Sequence, residues 1–204
     1  MAKRKTVEVQ GDPIEDNLEN VGQEVEGTQD ACIRCLVSQV KDGESKVAET
    51  LDDGWTADGV ALVDGDETLL VVALNESQLT FGGDESQDLE EDVASPSMTG
   101  MDGQQRSAFL IGFYQREEKE VPALSACAEY GWLPSGGEMA LIFANKDAIN
   151  SMLETLGGDT IGDGKYWTSQ RFSNDRMWSC DMSDGTFGIA IGTASVAAVR
   201  AVKK

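Results

Sequence analysis

Two neighbouring apolar runs constrain the fold of this chain more than any other stretch. Gly59-Val60-Ala61-Leu62-Val63 is followed by Thr68-Leu69-Leu70-Val71-Val72-Ala73-Leu74, with Gly65-Asp66 between them. Aliphatic and β-branched runs flanking a Gly/Asp pair read as a β-hairpin. The second run has no polar face, which predicts a strand buried on both sides and central to a sheet.

The remaining elements are placed around that hairpin. Ala31 to Val40 predicts an earlier strand, closed by the turn residues Asp42-Gly43. Lys46 to Leu51 is ambiguous. Asp102-Gly103-Gln104-Gln105 has Asp and Gln at capping-box spacing and predicts a helix through Phe113. Pro122 suits the first turn of a second helix, reaching Tyr130. Ser135-Gly136-Gly137-Glu138 is an S-x-x-E capping box opening a third. Asp147 is placed to cap a fourth. There Ile149, Met152, Leu153 and Leu156 form an i, i+3, i+4, i+7 stripe, ended by Gly157-Gly158. The C-terminal part reads as antiparallel β: Lys165 to Ser169, Arg176 to Ser183, Thr186 to Ile191 and Val196 to Val202. Strands, then helices, then strands predict an α+β fold.

Composition then narrows the function. Acidic residues number 37 against 16 basic ones, a formal net charge of −21. That opposes binding to a phosphate backbone, which needs Lys and Arg, and opposes an anionic membrane surface. The chain has no histidine. The commonest general base and zinc ligand are thereby removed, and a Ser-His-Asp or Cys-His system is excluded within one chain. Cys32-x-x-Cys35 has redox or zinc spacing, but no second pair follows. Cys127 and Cys180 fall in apolar runs and read as small core residues. Residues 84–92 carry six carboxylates without the spacing of a calcium loop, which reads as a solvated segment. Residues 1–29 are acidic, broken by Gly and Pro, and poor in large apolar groups. They read as an N-terminal arm ahead of a domain spanning 30–204. No apolar run follows the basic start, so no secretory signal and no membrane span is expected.

A set of motifs gathers toward the C-terminal end. Gly131-Trp132-Leu133-Pro134-Ser135-x-x-Glu138 is followed by Asn145-Lys146-x-x-Ile149-Asn150 and Gly157-Gly158. Tyr166-Trp167-Thr168-Ser169, Trp178, Asp184-Gly185 and Val199-Arg200-Ala201-Val202 complete it. In order and spacing the set resembles the C-type-lectin-like domain of gut-bacterial surface proteins and of phages of those bacteria. That family includes the variable proteins of diversity-generating retroelements. The resemblance covers roughly residues 31–204 and implies antiparallel sheets with a few short helices. It implies that Trp132, Tyr166, Trp167, Trp178 and Arg200 are framework, with the tryptophans packed in the core. It implies a ligand-binding loop formed by Gln170, Arg171, Ser173, Asn174, Asp175 and Arg176, and Phe172 is placed there to stack on a sugar. The calcium-holding motifs of sugar-binding C-type lectins are absent, and Cys180 has no partner thiol of the kind formylglycine-generating enzymes use. No cofactor, metal or catalytic residue is therefore expected.

The reading built on this resemblance is a non-enzymatic phage virion protein, a fibre or capsid decoration made in the host cytoplasm. Its arm holds virion structural proteins, and its domain binds host surface glycan or protein. It self-associates, with a trimer as one form. The alternative is a bacterial ligand-binding protein, in the bacterial cytoplasm or on its surface, diversified by a retroelement.

Overall fold

A computed structural model of the chain describes residues 33–82, 100–173, 176–192 and 195–204. Residues 1–29, the acidic segment 84–92 and Cys32 lie outside the described residues, as do the expectations attached to them. Cys32–Lys204 make up one contact unit of the chain.

The central hairpin forms as expected: β3 (Thr56–Asp64) and β4 (Glu67–Ala73) pair antiparallel, turning at Gly65 with φ +58°. Val60, Leu62, Leu70 and Val72 face one core, while Ala61, Val63 and Val71 pack on the opposite face. The run without a polar face is thus buried on both sides. β1 (Arg34–Lys41) pairs with β3 on its other side and with β2 (Glu44–Ala48) at the margin. β2 resolves the stretch that sequence periodicity left ambiguous.

After β4 the chain leaves this sheet and forms β5 (Ser77–Thr80) in a second one. Four helices follow among the described residues: α1 (Gly103–Arg116), α2 (Pro122–Ala128), α3 (Gly136–Ala144) and α4 (Lys146–Leu156). Then come β6 (Lys165–Ser173), β7 (Arg176–Asp181), β8 (Phe187–Gly192), β9 (Val196–Val199) and β10 (Val202–Lys203). The sheet orders are β10-β4-β3-β1-β2 and β5-β9-β6-β7-β8. Pairing is antiparallel throughout except between β6 and β9, which are parallel at Tyr166 and Ala198. The architecture is therefore α+β, with two five-stranded sheets and short helices.

Three local expectations are corrected. Asp102 precedes α1 without capping it; its carboxylate accepts from Arg106 Nε at 2.6 Å, one helical turn on. Asn145, not Asp147, stands at the N-cap of α4, because Asp147 already lies in the first turn. The expected strand Val196 to Val202 is two strands in different sheets, β9 and β10, separated at Arg200-Ala201. A side chain's alternation shows that a segment is extended; it does not show which sheet receives each half.

The Ser135 capping box forms in full: Glu138 N donates to Ser135 Oγ and Ser135 N donates to Glu138 Oε2 at 2.7 Å. Gly157, with φ +74°, ends α4 in the left-handed conformation that glycine adopts without steric cost. Helices α3 and α4 lay Met139, Ile142, Ile149 and Leu153 on the inner faces of both sheets. Phe81, Leu110, Tyr114, Leu124 and Trp167 build a second cluster with α1 and α2. Each such fully buried side chain contributes about 1.5–3 kcal/mol through loss of water contact.

Candidate interaction surface at the end of the second sheet

The second sheet is built around β6, whose pairing with β7 is interrupted. Trp167 lies opposite Ser179 and Arg171 opposite Met177, so three residues of β6 face a single residue of β7. The extra length forms a bulge, Thr168 to Gln170. Thr168 Oγ1 donates to the Trp178 carbonyl at 2.9 Å, which ties the bulge to the neighbouring strand. Ser169 N donates to the Pro134 carbonyl at 2.8 Å, and Gly136 N donates to Gln170 Oε1 at 2.7 Å. Gly136 opens α3, so Gln170 satisfies one of the amides that a helix start leaves without an internal partner.

This geometry places the anticipated loop differently from its sequence appearance. Gln170 and Arg171 are buried within β6, at 0% and 2% exposure. Arg171 lies close enough to Tyr114 for its charge to act against the upward pKa shift that burial imposes on that phenol. Phe172 is 43% exposed. Its ring meets the Trp178 ring edge-on, with centroids 5.4 Å apart and planes at 89°. Trp178 is half-buried rather than core; it lies on β7 two residues from exposed Arg176. Ser173 pairs with Arg176 across the hairpin. Asn174 and Asp175 lie outside the described residues. What reaches the surface here is Phe172, Trp178 and Arg176: an apolar ring pair beside a cation.

The other aromatic and basic residues of the motif set sit inside. Trp167 is 1% exposed and donates its indole N–H to the Leu79 carbonyl at 2.9 Å. Its ring meets Phe81 edge-on at 5.6 Å. Trp132 donates its indole N–H to the Glu138 carboxylate at 3.3 Å. Tyr166 donates to Glu76 Oε2 at 2.5 Å and accepts from Gly162 N at 3.0 Å. Burial, then the Glu76 carboxylate, push the Tyr166 pKa far above the ordinary phenol value, so the hydroxyl keeps its proton.

Arg200 marks the passage between the sheets. Its guanidinium donates to the carbonyls of Ala73 at 2.9 Å, Leu74 at 3.2 Å and Asp159 at 2.7 Å, and to Glu76 Oε2 at 3.1 Å. Ala73 and Leu74 lie where β4 gives way to β5, and Arg200 itself lies where β9 gives way to β10. One side chain therefore fastens both crossings. Glu76 is the partner that sequence reading missed. It stands alone between Asn75 and Ser77, and no spacing rule connects it to residues 124 and 90 positions away.

The described residues assemble no catalytic constellation and hold no group of three or more His, Cys, Asp or Glu placed for a metal ion. Cys127 and Cys180 are buried, and burial raises their thiols to about 12 and about 11, away from thiolate chemistry. No described helix is long and apolar enough to cross a membrane.

No family model matches the chain, and no curated protein matches it. Among solved structures it is similar to a fimbrial protein from Bacteroides ovatus, at 15% identity and a TM-score of 0.57. The match covers 65% of this chain and 35% of the fimbrial one. The likeness carries the fold, and it corrects the reading drawn from the sequence. The expectation of a phage fibre or decoration protein, located on a virion and held by virion structural proteins, is overturned. The similar structure is a bacterial fimbrial protein, not a virion component.

Proposed function

We propose that this chain is a non-enzymatic binding module of a bacterial cell-surface protein of fimbrial type. It engages its ligand at the outer end of the β6–β7 hairpin. The observation that carries this reading is the exposed Phe172 ring against half-buried Trp178, beside exposed Arg176, set on a strand whose preceding residues are locked inside. Aromatic rings with an apolar body on a rigid support give contact area at small entropic cost, and an adjacent guanidinium adds directional donors. Residues 30–204 serve as the module, with residues 1–29 as a segment ahead of it. A C-type-lectin-like scaffold is the finer form of this reading. It is supported by β10 returning to pair with β4, so that the chain end meets an early strand. In that finer form, diversification by a retroelement concentrates natural variation at Phe172 to Arg176 and spares the buried Gln170 and Arg171.

The test has two arms. Antibody to the module labels intact cells and sheared surface filaments of the producing bacterium; labelling only after lysis overturns the location. Phe172→Ala on an array of bacterial and host surface glycans and proteins loses about tenfold or more in affinity, about 1.4 kcal/mol. Its midpoint of unfolding stays near that of the parent, since a substitution at an exposed site typically changes stability by about 0.5 kcal/mol or less. Unchanged binding by the variant overturns the site.

A further inference from the structure

Glu138 does more than the capping box requires. Its side chain is 3% exposed, yet it lines a cavity of about 240 Å³ together with Leu69, Met101, Gln104, Trp132 and Lys204. The carboxylate receives N–H groups from Ser135, from the Trp132 indole and from Gly103, all of them neutral. No ion pair joins it to a Lys or Arg among the described residues. Lys204, the cation on the cavity wall, holds Glu67 at 3.0 Å. A buried anion held only by neutral donors keeps a large desolvation cost that a cation would offset. Burial accordingly lifts its pKa above the ordinary carboxylate range despite the hydrogen bonds acting the other way.

We propose that this cavity is a binding site for a primary alkylammonium group, with Glu138 as counter-ion and Trp132, Leu69 and Met101 as the apolar sleeve. The chemistry follows from the walls. An ammonium takes the carboxylate, while its methylene stem covers the apolar wall. The volume suits one such stem. The net charge of −21 favours approach of a cation. This site is separate from the Phe172–Trp178 surface and stands or falls independently of it.

The probes are n-butylammonium chloride, n-butanol as its neutral counterpart, and a blocked Gly-Lys-Gly peptide. The readout is the Trp132 indole N–H resonance of the full chain, assigned by its absence in Trp132→Phe. Butylammonium shifts that resonance saturably and butanol does not. Gln104→Trp, a substitution at an exposed position of α1 that fills the cavity mouth, weakens the effect by about tenfold or more while leaving the fold intact. A matching shift with the peptide assigns the group to a lysine of a protein partner; a shift with the free amine alone assigns it to a small amine. No saturable shift with either cation, or the same response in Gln104→Trp, overturns the proposal and leaves Glu138 as a helix cap only.

Discussion

At the scale of single residues, two buried charges carry opposite lessons. Arg200 and Glu76 form an ion pair at 2% and 16% side-chain exposure, and nearly every remaining donor and acceptor finds a backbone or phenol partner. Arg200→Ala strands the Glu76 carboxylate and three carbonyls together. The expected loss is roughly 3–5 kcal/mol, measured by urea denaturation. Glu138 lacks such a counter-charge, and its linkage to pH has the opposite sign from an ion-paired acid. A carboxyl whose folded pKa exceeds its unfolded one binds its proton more tightly when folded. Its stabilising effect is complete below the ordinary value of 4.5 and is lost as pH rises through the raised folded value. The stability of the parent relative to Glu138→Gln therefore falls as pH rises across that window. Urea midpoints at a series of pH values check the slope.

At the scale of elements, the β6 bulge decides what the second sheet displays. A regular strand through residues 167–171 would alternate its side chains between faces. The bulge instead sends Gln170 toward the start of α3, where its carbonyl oxygen accepts from Gly136 N. Gln170→Ala removes that acceptor and leaves a buried amide without it, an expected cost of about 1–3 kcal/mol. Thermal unfolding checks the loss. Binding through Phe172 should weaken in parallel, since the bulge sets the level at which that ring emerges. The stretch from Gln170 to Met177 reads as a polar loop because its residue types are those of loops. Bulges carry no periodic signature, so burial of Gln170 and Arg171 was not legible from their neighbours. The capping box of α3, the proline of α2 and the apolar stripe of α4 were legible, because each depends on contacts within one or two helical turns.

At the scale of the whole molecule, two crossings hold the sheets together: β4 into β5, and β9 into β10. Val202 is fully buried in the first sheet and exchanges backbone hydrogen bonds with Trp132 at 2.8 and 3.0 Å. A chain truncated after Ala201 loses both bonds, the β10–β4 pairing and the cover over Trp132. Its unfolding should lose the single cooperative transition of the parent, with far-ultraviolet and near-ultraviolet circular dichroism no longer changing together. The sequence alone determined the hairpin, the starts of α2 and α3, the exclusion of histidine chemistry and the α+β class, since periodicity, caps and composition act locally or globally without reference to partners. Tertiary structure alone decided which sheet each C-terminal strand joins, which aromatic rings face water, and that Glu76 completes the Arg200 lock. Those outcomes depend on contacts between residues far apart in the chain, whose energies no local pattern records.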